Sequence, residues 1–91
     1  MFLFSIDYFM QSLFSCKNGK QFYVNSIKDE CSYAIKRRLL DLGFTKGQAV
    51  RKIKTSLLNK VVLVEIRGYL LSLKSIIADY ILLEEKWKNL L

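Results

Sequence analysis

The two cysteines are the first residues of this sequence to weigh, because thiolates bind transition metals and form redox pairs. Cys16 and Cys31 lie far apart and lack the Cys-x-x-Cys spacing of a metal knuckle. The chain has no histidine, which removes His-based acid–base chemistry and the commonest metal ligand. Two thiols without histidine or close carboxylate ligands form an incomplete metal shell. We therefore expect no catalytic residue, no metal site and no cofactor, and two reduced cysteines that pack as small apolar side chains.

Ras-like and other P-loop functions are excluded on separate grounds. No Gly-x-x-x-x-Gly-Lys-[Ser/Thr] loop occurs, and that loop is what cradles the phosphates in P-loop enzymes. We therefore expect a protein that is not an enzyme, has no small-molecule substrate and acts by recognising another macromolecule.

The basic residues are the chemistry that remains. Fifteen lysines and arginines against eight acidic residues give a net charge of +7. Between residues 42 and 64 there is no acidic residue but there are five basic ones, namely Lys46, Arg51, Lys52, Lys54 and Lys60. Such a segment suits an acidic protein surface, anionic lipid headgroups or nucleic-acid phosphates. No aromatic residue follows Phe44 in it to stack on bases, so nucleic-acid binding is only the alternative interpretation.

Length and composition place these residues on one small globular domain. A chain of 91 residues has room for one core, and 52% hydrophobic residues with no proline exclude disorder. No run of eighteen uncharged apolar residues is present to span a membrane. The apolar N-terminus contains Asp7, has no preceding basic residue and lacks a small-x-small cleavage site, so we do not expect it to act as a signal peptide. We expect a cytoplasmic protein.

Helical periodicity appears twice. Ile35, Leu39 and Leu42 recur at i, i+4 and i+7, which predicts a helix over 32–42 that ends at Gly43. Apolar residues at helical spacing over 2–14 predict a second, short amphipathic helix at the N-terminus.

Alternating apolar residues predict strands in the rest of the chain. Val62, Val64 and Ile66 are expected to face a core, and residues 75–79 form one helical turn at most. The five predicted strands cover residues 21–28, 50–54, 61–67, 69–73 and 80–83. Short strands with tight turns and one helix of about ten residues predict a mainly β fold, a small and strongly bent barrel.

Three blocks of the sequence resemble the FeoA family of bacterial ferrous iron uptake. They are RRLLDLGFTKGQAV (37–50), VEIRGYLLSL (64–73) and an ending that contains Ala78, Ile81, Leu83 and Glu84. The resemblance implies an SH3-like barrel over 13–84, preceded by an apolar extension (1–12) and followed by a tail (85–91). It also implies a cytoplasmic accessory protein that accompanies the membrane GTPase permease FeoB and is membrane-associated through that partner. A diluted form of the motif occurs in the C-terminal domain of metal-dependent repressors, which makes a regulator-type domain part of the alternative.

Most motif residues are expected to have structural roles. Leu42 and Phe44 should fill the core, and Gly43 should end the helix. Tyr69 should bury its ring while its hydroxyl remains exposed to solvent. The whole set consists of Asp41, Leu42, Gly43, Phe44, Gly47, Arg67, Gly68 and Tyr69.

The residues expected to contact a partner are basic or apolar. Ile76 and Ile77 stand where family members usually carry acidic residues, and this excess of apolar surface also predicts self-association. The full set consists of Arg37, Arg38, Arg51, Lys52, Lys54, Leu57, Leu58, Ile76 and Ile77.

Overall fold

A computed structural model describes residues 10–86 as one antiparallel sheet of six strands with two short helices. In chain order the elements are β1 (Gln11–Ser12), β2 (Gln21–Ile27), α1 (Tyr33–Leu42), β3 (Ala49–Ser56), β4 (Val61–Ile66), β5 (Tyr69–Lys74), α2 (Ser75–Ala78) and β6 (Ile81–Glu84). The strands lie side by side in the order β1-β6-β2-β3-β4-β5. The predicted mainly β class is confirmed.

Strand β4 shows how the sequence pattern builds the core. Val62, Val64 and Ile66 are buried, as predicted, and the residues between them are only half-buried. Alternate side chains of a strand point to opposite faces, so one face of β4 packs inward. The core that it joins includes Leu13, Phe22, Val24, Leu39, Phe44, Val50, Ile81 and Leu83.

Helix α1 begins and ends at specific capping residues. The Ser32 hydroxyl accepts a hydrogen bond from a backbone N–H of the first turn. At the other end Gly43 has φ +114°, and its N–H donates to the Leu40 carbonyl at 3.0 Å. The Phe44 N–H donates to the Leu39 carbonyl at 3.0 Å, which completes a Schellman motif. The predicted end of this helix at Gly43 is confirmed.

The N-terminal helix predicted over 2–14 is wrong where the structure describes it. Gln11 and Ser12 pair with Leu83 and Leu82 as strand β1, and residues 13–15 form a turn. A strand of two residues is too short to show an alternating pattern. The remainder of that prediction, residues 2–9, lies outside the described residues.

A β-bulge in β3 decides which of its cations face outward. Lys52 pairs with Val64 but Lys54 pairs with Leu63, so Ile53 is the extra residue. Lys52 therefore faces the core beside Val64, whereas Lys54 shares the outer face with Leu63.

The predicted barrel is open in the described part of the chain. Its sheet has two edges, since β1 pairs only with β6 and β5 pairs only with β4. No ladder joins β1 to β5 within residues 10–86. The sixth strand, which the sequence did not indicate, is β1.

Candidate docking surfaces

The most exposed apolar side chains lie at one end of the sheet. Leu57 and Leu58, in the turn between β3 and β4, are 76% and 92% exposed, and Ile76 on α2 is 65% exposed. The Ser75 N–H donates to the Lys60 carbonyl at 2.9 Å, which holds α2 against this turn. We name Leu57, Leu58 and Ile76 the apolar tip.

The turn itself explains why the two leucines point into water. The Asn59 N–H donates to the Ser56 hydroxyl at 3.3 Å, and Lys60 has φ +56°. Residues 57–60 therefore close a tight connection in which no side chain reaches the core. Large apolar side chains held in solvent by a local turn are typical of a contact surface.

Lys52 is buried, at 5% exposure, and does not belong to an exposed basic face. Its ammonium donates to the Phe14 carbonyl at 2.6 Å, and its own carbonyl accepts from the Gly19 N–H at 2.7 Å. Both contacts tie the loop before β2 to β3. The basic segment seen in the sequence is therefore interrupted, and Lys52 has a structural position.

Cys16 lies in the same buried region. Burial raises the pKa of its thiol, and the nearby positive charge of Lys52 offsets part of that rise. Cys16 and Cys31 are both free and both buried, so the prediction that they pack in the core is confirmed.

Arg51 and Lys54 both face outward but differ in their surroundings. The Arg51 Nε lies 3.9 Å from the Glu65 Oε1, is buried as an atom and has no hydrogen-bond partner among residues 10–86. Arg51 also lines a cleft of about 290 Å³ with Gln21 and Gln48. Lys54 is exposed, so it presents the freer charge of the two.

A groove separates helix α1 from strand β5, and no local sequence pattern indicates it, because its walls come from distant parts of the chain. Its walls include Leu42 and Ile77, which are half-buried, and Arg38, which is exposed. Leu42 was expected to be fully buried, but it sits at the open side of the core and packs against it only partly. The groove encloses about 290 Å³ and is lined by Ile35, Arg38, Leu39, Leu42, Ser72, Leu73, Lys74 and Ile77. We name it the α1–β5 groove.

Arg37 lies on a different part of α1 from this groove. Its Nη1 donates to the Tyr33 hydroxyl at 3.3 Å, one helical turn earlier, and both residues are exposed. The predicted contact residues therefore do not form one patch. Seven of the nine divide among the apolar tip, the groove and the outer face of β3, whereas Arg37 lies elsewhere on α1 and Lys52 is buried.

The two motif blocks meet at the C-terminus of α1. The Tyr69 hydroxyl donates to the Leu42 carbonyl at 2.6 Å. A Cβ on Gly43 would lie 2.6 Å from the Arg67 Cδ, so the Arg67 side chain occupies the space that glycine leaves. The hairpin of β4 and β5 thus holds the end of the helix. We expected Tyr69 to bury its ring and to expose its hydroxyl to solvent. Instead the hydroxyl is hydrogen-bonded to the helix end, and the residue as a whole is 42% exposed.

The remaining motif residues shape the turns around that contact. Arg67 and Gly68 have φ of +53° and +84°, the left-handed pair that a type I′ hairpin turn requires. Gly47 has φ +88° and its N–H donates to the Val24 carbonyl at 2.8 Å. Phe44 is fully buried, and Asp41 is exposed.

Two properties of residues 10–86 concern metal ions and membranes. No three His, Cys, Asp or Glu side chains come together there in a group that could hold a metal ion. Neither helix in that range has the length and apolar character needed to cross a membrane.

Comparison with known proteins gives one family. The FeoA domain profile matches residues 11–85. The solution structure of FeoA from Chlorobium tepidum superposes with a TM-score of 0.73 and 24% identity over 88% of this chain and 83% of that one. The zinc complex of Stenotrophomonas maltophilia FeoA, described as a prokaryotic SH3 domain protein, gives a TM-score of 0.71 and 26% identity over 81% and 89%.

The same fold occurs inside a larger regulator. A manganese-dependent transcriptional repressor superposes with a TM-score of 0.77 and 20% identity over 85% of this chain, but only 37% of its own length is covered. At that identity the likeness concerns the fold alone. No curated protein sequence matches this chain.

Proposed function

This chain belongs to the FeoA domain family, which is associated with ferrous iron transport, and we propose that it is a non-enzymatic accessory protein of that process. In this proposal it docks, in the cytoplasm, on the cytoplasmic part of a FeoB-like GTPase permease and modulates the activity or assembly of the permease. The membrane association of the chain then comes from its partner.

The apolar tip is the observation that carries the proposal. Leu57, Leu58 and Ile76 expose large aliphatic side chains at the same end of the sheet, where the Ser75 N–H to Lys60 carbonyl bond holds α2 against the turn. Burying such side chains against a partner is favourable, at about 25 cal/mol per Å² of apolar surface removed from water. Central apolar residues of this kind determine how slowly a complex dissociates.

Electrostatic attraction is the second contribution to the proposed docking. Lys54 is exposed on the outer face of β3, and no acidic residue lies between residues 42 and 64. Exposed cations at the rim of an interface mainly raise the rate of association with an acidic surface, because they act over about one Debye length.

Nucleic-acid binding is the second candidate, favoured by the net charge of +7. The structure weakens it in one respect. Lys52 is buried and Arg51 lies beside Glu65, so two of the five cations of the basic segment are not free for phosphates. Binding to random oligonucleotides that falls steeply with salt would favour this candidate over the permease.

The experiment measures binding to the immobilised cytoplasmic domain of the permease from the same cell. Leu57→Asp combined with Leu58→Asp should raise the dissociation rate about tenfold or more, since desolvated contact area is lost. Leu40→Asp, on an exposed leucine of α1, is the matched control and should bind like the parent. Lys54→Glu should instead slow association and reduce its salt dependence.

Two results would overturn the proposal. One is a parent chain that does not bind the permease domain at low salt. The other is a double leucine variant that binds with unchanged dissociation rate, which would remove the apolar tip from the interface. The same tip accounts for the expected self-association, which sedimentation at high concentration measures in parent and double variant.

A further inference from the structure

Strand β5 is an edge strand that runs beside the α1–β5 groove. It pairs with β4 along its whole length, from Tyr69 to Lys74, and with no other strand of residues 10–86. The peptide groups on its other side therefore have no ladder partner in the described part of the chain. An unpaired edge is the surface to which an extended segment of another chain can add as a further strand.

The hairpin register identifies which peptide groups are free. In a hairpin with a two-residue turn the flanking residues, here Ile66 and Tyr69, exchange hydrogen bonds, and every second pair does so thereafter. The Ser75 N–H to Lys60 carbonyl bond of 2.9 Å continues this alternation beyond β5. The groups directed away from β4 are therefore the N–H and C=O of Leu70 and Ser72 and the N–H of Lys74, since the Lys74 C=O is the N-cap carbonyl of α2 and accepts the first bond of that helix.

The groove beside this edge has an apolar interior. Leu73 and Ile77 contribute from the side of β5 and α2, and Ile35, Leu39 and Leu42 from α1. A segment paired with β5 would direct alternate side chains into this space. Leu70, at 60% exposure, pairs with Glu65 on the outer face of the sheet, where the intervening side chains of the segment would contact it.

The charged residues of the groove all have the same sign. Arg38 and Lys74 are exposed at its rim, and none of its lining residues is acidic. Acidic side chains on an incoming segment would pair with both cations. A second copy of this chain is disfavoured as the occupant of the groove, because the two cations at its rim would face a chain that itself carries +7.

We propose that the α1–β5 groove and the free edge of β5 together bind an extended segment of the partner protein, one with alternating apolar and acidic residues, by β-strand addition. This deepens the proposed function, on which it rests for the source of the segment, namely the cytoplasmic part of the permease. Main-chain hydrogen bonds to Leu70, Ser72 and Lys74 align the segment, and the groove and its two cations select its side chains.

Amide hydrogen exchange of the isotopically labelled full chain tests the proposal, with a blocked peptide of six alternating glutamates and valines as the probe. In the free chain the amides of Leu70, Ser72 and Lys74 should exchange faster than those of Leu71 and Leu73, which bond to β4. Saturating peptide should slow exchange at the first three about tenfold or more and leave the other two unchanged. A peptide with lysine in place of glutamate should bind far more weakly.

Charge variants test whether Arg38 and Lys74 select an acidic segment. Arg38→Glu combined with Lys74→Glu should weaken peptide binding about fivefold, as expected for the loss of two surface ion pairs. Lys46→Glu combined with Lys54→Glu makes the same change in net charge away from the groove and should have less than half that effect.

A backbone variant tests the strand addition itself. Ser72→Pro removes the central free N–H at a position where an edge strand tolerates proline, whereas Ser72→Ala retains it. Only the proline variant should lose peptide binding. If it fails to fold, the exchange pattern and the charge variants still decide.

Several results would overturn the inference. They include equal protection of all five β5 amides in the free chain, which would mean that this chain already covers its own edge. They also include bound peptide without protection at Leu70, Ser72 and Lys74.

Adding the permease domain to the labelled chain distinguishes failure of the strand addition from failure of the proposed docking. If it binds without protecting the β5 edge, strand addition fails and docking stands. If the peptide protects the edge but the permease does not bind, docking fails instead.

Discussion

Lys52 and Lys54 are separated by one residue of β3, but their side chains have opposite environments. Lys52 is 5% exposed and bonded to the Phe14 carbonyl, whereas Lys54 lies in solvent. The bulge at Ile53 is the cause, because it adds a residue between their pairing positions. One lysine therefore contributes to folding, and the other is available to a partner.

Charge reversal should therefore affect stability very differently at these two positions. Lys52→Glu would set a carboxylate against the Phe14 carbonyl in a buried site and should lower the free energy of unfolding by about 3 kcal/mol. Lys54→Glu should change it by no more than ~0.5 kcal/mol. Urea unfolding measures both, and equal effects would show that Lys52 is not buried in solution.

The Cys16 thiol predicts a pH dependence of stability. Its pKa is raised by burial, so the native state favours the protonated thiol. A group with a raised pKa contributes fully below its unfolded-state pKa, about 8.5 for a thiol, and loses that contribution as pH rises through the folded pKa. The stability of the parent relative to Cys16→Ala should therefore fall between pH 7 and pH 10. Urea unfolding of both proteins at the two pH values gives this difference, and a constant difference would contradict burial of Cys16.

At the scale of elements, the C-terminus of α1 is held by a hairpin remote in sequence. Gly43 adopts φ +114°, and the Arg67 side chain fills the space above it. The Tyr69 hydroxyl bonds the Leu42 carbonyl at the same helix end. The helix end and the hairpin turn are therefore one structural unit.

Alanine substitutions at two glycines separate the cost of backbone strain from the cost of the clash with Arg67. Gly43→Ala forces alanine into the left-handed region and against the Arg67 Cδ, which should destabilise the protein by about 2–3 kcal/mol. Gly19→Ala has φ +79° but open space around its Cβ and should cost only about 1 kcal/mol. Thermal or urea unfolding distinguishes them, and equal losses would mean that Arg67 moves aside freely.

Strand β4 gives a register test. Val64 is fully buried, so Val64→Ala leaves a cavity and should cost about 2–4 kcal/mol. Leu63 points to the outer face and is half-buried, so Leu63→Ala should cost less than about 1 kcal/mol despite removing more atoms. The reverse order in urea unfolding would show that the strand is inverted.

Local patterns were sufficient to predict α1 and β4. The spacing of Ile35 and Leu39 with Gly43 after them, and the alternation of Val62, Val64 and Ile66, depend on residues close in the chain. These signals are strong because the apolar residues of each element fall on a single face, which the core then buries.

Features that depend on distant residues could not be read in this way. The short β1 exists only because Gln11 and Ser12 meet β6, and the burial of Lys52 depends on the bulge and on the Phe14 carbonyl. The α1–β5 groove, likewise, is made by elements that are separated in the chain. The exposure of Leu57 and Leu58 could be predicted from the sequence, because both residues lie in the connection between two strands.

At the scale of the whole molecule, the two proposed contact surfaces adjoin. Ile76 belongs to the apolar tip and Ile77 lines the groove, and they are consecutive residues of α2. Lys74 and the free edge of β5 lead directly into that helix. A single partner could therefore cover the tip with a folded surface and the groove with an extended segment.

The most direct test of this account is a titration of the isotopically labelled chain with the unlabelled cytoplasmic domain of the permease, followed by amide spectra. The account predicts a saturable complex in which the signals of Leu57, Leu58 and Ile76 change most, together with those of the β5 edge. The outer surface around Tyr33 and Arg37 should stay unchanged. No complex at low salt, or a complex that leaves the apolar tip unperturbed, would contradict it.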